Sequence, residues 1–237
     1  MKTTKLILPV AALASALFLC NCAEDPSENV PAAGVTEIEE VETPQTTTEP
    51  AAEPAPEASA PEPKAAAPTT TAGPVAYTFT EESKIEFVGS KVTGSHGGGF
   101  EKFSGKFRVA GDQPGQGPHT IEIDMTSVWS DAEKLTGHLK SPDFFDVEKF
   151  PTSAFMLTSV EPTEGADMFT LSGELDLHGM KKTITFPAKI TMKDGKVHLD
   201  AEFSINRKDF GIVYAGKADD LIRDGVVMKL AMVATPE

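Results

Sequence analysis

Cysteine is almost missing from this chain of 237 residues: Cys20 and Cys22, near the N-terminus, are the only two. No disulfide framework and no thiolate metal site can hold the rest together, so a folded part must stand on its hydrophobic core. Cationic side chains are scarce as well. Lys and Arg number 21 against 36 Asp and Glu, and the formal charge of −15 argues against nucleic acid, which requires a basic footprint. Tryptophan occurs once and tyrosine twice, which leaves 14 Phe and 8 Met as the large adaptable apolar side chains. Histidines never fall at HxxxH or HxH spacing, and no GxSxG elbow is present, so no metal site, resident cofactor or catalytic group is expected.

The N-terminus has the organisation of an export signal. Lys2 and Lys5 precede an apolar run over 6–19, interrupted only by Pro9 and Ser15 and too short to span a bilayer comfortably. Leu19-Cys20-Asn21-Cys22 resembles the bacterial lipobox, whose cysteine is thioether-linked to diacylglycerol and becomes the mature N-terminus. Cys22 fits better than Cys20, which would place bulky Leu19 at the cleavage position; Asn21 stands where Gly, Ala or Ser is usual. Residues 1–21 are therefore expected to be removed and Cys22 to carry the lipid. Acyl chains contribute about 0.8 kcal/mol per buried CH₂, enough together for a durable membrane anchor. Ala23, rather than Asp, follows Cys22, which by the enterobacterial sorting pattern directs the protein to the outer membrane, facing the periplasm.

Composition changes abruptly after the cysteine. Residues 23–76 hold ten of the 18 prolines and eleven acidic residues against the single Lys64, with no hydrophobic periodicity. Such a segment buries too little apolar surface to offset its ordering entropy, and residues 22–76 are expected to form a disordered, extended stalk.

From about residue 77 to 237 the pattern is alternation. Ile121, Ile123 and Met125 face one way and Glu122, Asp124 and Thr126 the other; Ile184, Phe186, Ala188 and Ile190 repeat the pattern, as do Val197, Leu199, Ala201 and Phe203. That period of two belongs to half-buried strands. Eight such segments, near 77–93, 101–110, 120–128, 153–161, 168–178, 181–192, 196–206 and 226–235, are separated by turn chemistry such as Lys193-Asp194-Gly195. An all-β antiparallel meander of eight strands closes most economically into a barrel, which leaves no exposed edge. Gly94-Ser95-His96-Gly97-Gly98-Gly99 reads as a mobile hairpin tip. Residues 130–150 do not alternate; Ser130 and Glu133 have capping-box spacing, which predicts a short helix over 131–139 and a long structured loop across one barrel end.

The loop carries a resemblance. HLKSPDFFDVEKFP at 138–151, GELDLHG at 173–179 and FSINRKDFG at 203–211, with YTF at 77–79 and KIEF at 84–87, together resemble the YceI-like (lipid/polyisoprenoid-binding) family. The resemblance implies a lipocalin-like barrel around an elongated apolar cavity. It also implies a ligand such as a polyprenyl phosphate, a quinone-like molecule or another long-chain lipid, held for transport or storage in the cell envelope. On spacing alone, inward Phe and Met favour a plain packed core over a hollow one. With the resemblance, Phe103, Phe107, Phe155, Phe186 and Phe203 are expected along the cavity wall, and His138, Phe144, Phe145, His178, Asn206 and Arg207 at a mouth that meets the headgroup. Arg207 could grip an anionic headgroup bidentately or form a strand-end salt bridge. Two rivals stand beside the non-enzymatic lipid carrier: a lipid-headgroup hydrolase using His138 or His178, and a ligand-free structural envelope protein with a solid barrel.

Overall fold

Alternating side chains need a sheet with one dry face, and the chain supplies it by winding eight staves into a ring. The computed structural model describes residues 24–38, 75–110, 113–114 and 119–237. Cys22, the signal segment and residues 39–74 lie outside the described residues. The first described strand, β1 (Gly34–Glu37), precedes the ring. The first stave is bent into β2 (Val75–Phe79) and β3 (Lys84–Lys91), the second into β4 (Gly94–Phe100) and β5 (Phe103–Ala110). β6 (Gln113–Pro114) merely extends the sheet beside β5, and β7 (His119–Asp124) with β8 (Val128–Ser130) makes the third stave. After helix α1 (Glu133–Leu139) come β9 (Thr152–Pro162), β10 (Met168–Leu177), β11 (Met180–Lys193) and β12 (Lys196–Asn206); the short β13 (Gly216–Lys217) leads into β14 (Asp220–Pro236).

Each stave pairs antiparallel with its neighbour in sequence, and β14 returns to pair with β3 and β2. The result is the closed eight-stranded antiparallel barrel with one short helix that the alternation predicts. Two hairpins show why the turns fall where they do. Asp194-Gly195 and His178-Gly179 each have positive φ at both positions (53° and 74°, 55° and 74°), the backbone handedness that matches the twist of flanking strands.

Three expectations are corrected. The glycine-rich stretch is not a hairpin tip: it is β4, paired with β3 on one side and β8 on the other. A Cβ on Gly98 would lie 2.5 Å from both the Phe87 ring and the Trp129 carbonyl oxygen, so glycine there lets the neighbouring stave and ring approach. The helix is where it was expected, but no capping box forms. The Ser130 hydroxyl bonds the Ala132 carbonyl and meets Thr136, while the N-cap Ala132 has no side-chain cap.

The third correction concerns the stalk. Residues 24–38 are not extended into solvent but strapped across the barrel wall. β11 and β12 pair only over Lys189–Lys193 and Lys196–Asp200, then diverge. β1 bonds to the exposed edge of β11, matching Gly34 with Thr185 and Glu37 with Lys182. On the β12 side, Ser204 donates its amide to the Pro31 carbonyl and accepts from the Ala33 amide, both at 2.8 Å. The strap thus satisfies backbone groups that the split would leave unpaired in the wall. Its start is fixed by Asp25, which caps a 3₁₀ turn (Pro26–Asn29) through Ser27 and pairs with Arg223 of β14 at 3.2 Å. In sequence, residues 39–74, outside the described residues, follow β1 and precede β2.

Candidate ligand-binding cavity

The inward faces of the staves enclose a cavity of about 220 Å³ running along the barrel axis. Its wall is almost entirely carbon. In mid-barrel Phe155, Phe186 and Phe203 form a ladder on β9, β11 and β12: ring centroids are 5.8 Å apart for the first pair and 4.1 Å, nearly parallel, for the second. Leu171, Leu175 and Leu199 complete the same belt. Phe107 marks the end where the C-terminus and the Asp194-Gly195 turn lie; there its ring meets His119 at 4.7 Å. Of the five expected wall residues, Phe107, Phe155, Phe186 and Phe203 line the cavity. Phe103 does not; it packs half-buried against the adjacent core cluster.

The opposite end, expected to be an open mouth, is a cap. Phe145 packs against Phe87 and Phe100 with centroids 6.4 and 5.9 Å away, and Phe144 is buried beneath His138 and Tyr214. Both phenylalanines reach the cavity as its floor. The loop holds this shape with its own backbone: Ser141 accepts from the amides of Phe144 and Asp146, and Phe145 donates to Leu139.

Arg207 is 4 % exposed and is built into the cap. Its Nε donates to the Arg223 carbonyl, Nη1 to the Ile212 carbonyl at 2.7 Å, and Nη2 to the Ile222 carbonyl and the Asp224 carboxylate. Burial lowers the guanidinium pKa and the Asp224 charge opposes that shift. The salt bridge forms, with Asp224 as the partner. Asn206 caps the 3₁₀ turn (Arg207–Phe210) by accepting from the Lys208 amide, and points away from the cavity onto the surface.

Neither candidate histidine lines the cavity. His138 lies on the outer side of the cap, its Nε2 2.8 Å from Asp143. His178 occupies its hairpin in the left-handed region, with Nδ1 3.1 Å from the Phe210 carbonyl and its ring against Phe150. His138 ties α1 to the loop that follows it, and His178 ties its hairpin to the 3₁₀ turn after β12. Among the described residues no three His, Cys, Asp or Glu side chains converge as a metal site would require.

Arg207, which the sequence reading named, borders the cavity from the cap; His119 and Arg223 are among the polar residues on its border that sequence reasoning missed. His119 accepts the Arg108 amide at Nδ1, which fixes the ring's orientation beside Phe107. A signal for it was available: His119 has the parity of inward Ile121 and Ile123. Arg223 carried none, because its partner Asp25 comes from the segment read as stalk.

A carbon-lined barrel interior with its cap, hairpins and signature loop in these places is decisive when set beside known proteins. A profile described as the YceI-like domain matches residues 77–234. The chain belongs to the YceI-like family. A UPF0312 protein of Pseudomonas putida (strain F1) is 30% identical over 171 residues, covering 65% of this chain and 87% of that relative. Protein YceI of Escherichia coli O157:H7 is 31% identical over 121 residues, covering 48% of this chain and 62% of its own length. Among solved structures, Burkholderia cenocepacia BcnA aligns with a TM-score of 0.58 at 23% identity, over 65% of this chain and 97% of its own. A polyisoprenoid binding domain from Saccharophagus degradans aligns at 0.57 and 17%, over 69% and 99%. At those identities the two structures establish the family's fold for this chain.

Proposed function

We propose that this member of the YceI-like family is a lipid-anchored envelope protein that holds a long-chain isoprenoid or similar lipid, of the polyprenyl phosphate or quinone-like type, inside its barrel. It acts as carrier or store without chemical turnover. The observation that carries the reading is the carbon-lined cavity along the barrel axis, in a family whose structural relatives include a polyisoprenoid binding domain. Ten buried methylenes contribute about 8 kcal/mol at ~0.8 each, comparable to the roughly 4–15 kcal/mol lost in association, and each further methylene shifts the balance toward binding. The aromatic ladder of Phe155, Phe186 and Phe203 gives a flat, uncharged contact for an unsaturated chain, and His119, Arg207 and Arg223 are among the polar side chains that border the cavity. Cys22 bears the anchor, and the protein faces the periplasm from the outer membrane.

The two rivals make demands that this geometry does not meet. A hydrolase needs His138 or His178 with a carboxylate inside the pocket, and both lie outside it. A structural protein with a solid barrel needs the central space filled, and the ladder leaves it open. The test is native mass spectrometry of protein extracted in mild detergent, followed by delipidation and titration with a polyprenyl phosphate and a quinone. Stoichiometric uptake of one of them is expected. Repeated recovery of empty protein that takes up neither would overturn the reading.

A further inference from the structure

The capped end carries an exposed apolar surface that neither the cavity nor the fold explains. Of the seven exposed large hydrophobic residues among the described ones, four lie in turns or at strand starts at this end: Val92, Met180, Val213 and Leu221. Val213 is 65% exposed and Leu221 49%. The turns are bonded to one another. The Val92 amide donates to the Leu221 carbonyl at 3.1 Å, and the Ile222 amide to the Ala215 carbonyl at 2.9 Å. Gly211, two residues before Val213, sits against the Met180 sulfur. The other three, Val75, Met156 and Met192, are spread over separate strands, as isolated surface hydrophobics ordinarily are.

The strap gives this patch its partner. Asp25 is pinned to Arg223, two residues along β14 from Leu221, and Ser27 packs beside Gly225. From there the strap stays bonded to the wall through Ala33 and β1, so its start cannot swing away while β1 is paired. Only three peptide units separate Cys22 from Asp25, a reach of at most about 11 Å. A lipid on Cys22 would therefore enter the bilayer within that distance of the capped end.

We propose that the capped end of the barrel lies directly on the lipid bilayer, with Val92, Val213 and Leu221 set into the boundary between headgroups and acyl chains. The inference rests on the reading of Cys22 as the lipid-bearing residue. The partner is a lipid surface because the patch consists of exposed apolar side chains at one end of the barrel, beside Asp25, the part of the strap that follows the anchor in sequence. The docked barrel presents its aromatic floor, Phe144 and Phe145, toward the membrane and its short turns toward the aqueous side.

The test uses the full-length, processed lipoprotein in vesicles of phosphatidylcholine and phosphatidylethanolamine. Processing removes Cys20 and occupies Cys22, so Val213→Cys at the capped end and Glu164→Cys at the far end each supply a single thiol for an environment-sensitive fluorophore. Flotation first shows whether the protein is anchored. Floating protein whose Val213→Cys label is blue-shifted and quenched by lipids spin-labelled near the headgroup, while the Glu164→Cys label reads as aqueous, supports the docking. Floating protein with both labels equally aqueous overturns the docking and leaves the anchor standing. Protein that does not float overturns the anchor, and the docking with it.

Discussion

At the far end of the barrel β11 and β12 are joined by the tight Asp194-Gly195 turn and β9 and β10 by residues 163–167, with no helix there among the described residues. At the other end α1, the 138–151 loop and the 3₁₀ turn after β12 fold inward and fill the opening with Phe144, Phe145 and Arg207. The side chains with the strongest chemical character in the sequence belong to this second end, and there they bond to each other and to backbone. A cluster of Arg, His, Asp and Phe in a signature loop thus marks the part of the fold hardest to close. The ligand space is made by unremarkable alternating residues between the two ends.

That contrast predicts unequal sensitivity. Arg207→Met should have the largest effect, because three buried carbonyls lose their donor at once; about 3 kcal/mol of stability is expected, measured by urea denaturation. A substitution at Glu164, on the far-end turn, should stay within about 0.5 kcal/mol. Gly98→Ala comes next at about 2 kcal/mol, since the new methyl meets the Trp129 carbonyl oxygen, which cannot move without the stave.

The strap gives a smaller and pH-dependent effect. Burial raises the Asp25 pKa, but bonds from Ser27 and the Arg223 charge outweigh it, and the folded value lies below the ordinary carboxylate range. A carboxyl depressed in the folded state stabilises fully above its unfolded pKa, near 4, and the contribution disappears as pH falls through the folded value. Asp25→Asn should therefore loosen the strap at neutral pH by about 1 kcal/mol and remove its acid sensitivity below about pH 4. Hydrogen exchange at the amides of Ala33 and Ser204 reads both changes, with far-end amides unaffected. The smallest effect is expected for His138→Gln, a surface pair with Asp143 worth less than about 0.5 kcal/mol.

Much of this was legible beforehand, for a physical reason. Period-two alternation is imposed by the barrel itself, so the eight staves could be read directly; the wall phenylalanines follow only from the family resemblance, which places Phe107, Phe155, Phe186 and Phe203 correctly and Phe103 wrongly. The errors arose where contacts are not local. Gly97-Gly98-Gly99 looks like a turn until Phe87 and Trp129 are seen packed on it. Residues 31–37 share the acidic, proline-containing composition of their surroundings, and only the divergence of β11 from β12, invisible in sequence, gives them a partner. Arg207 could be matched to a headgroup or to an acid; which carbonyls converge on it depends on how the chain returns from residues 212 and 222.

The central claim is that the wall between the two ends, not the signature residues of the cap, holds the lipid. Fluorescence titration with a polyene lipid of the wild-type protein, Leu175→Trp in mid-barrel and His138→Gln on the cap tests it most directly. The account predicts saturable binding by wild type and His138→Gln and loss of at least tenfold in affinity for Leu175→Trp. Unchanged binding by a folded Leu175→Trp protein, or loss confined to His138→Gln, would contradict it.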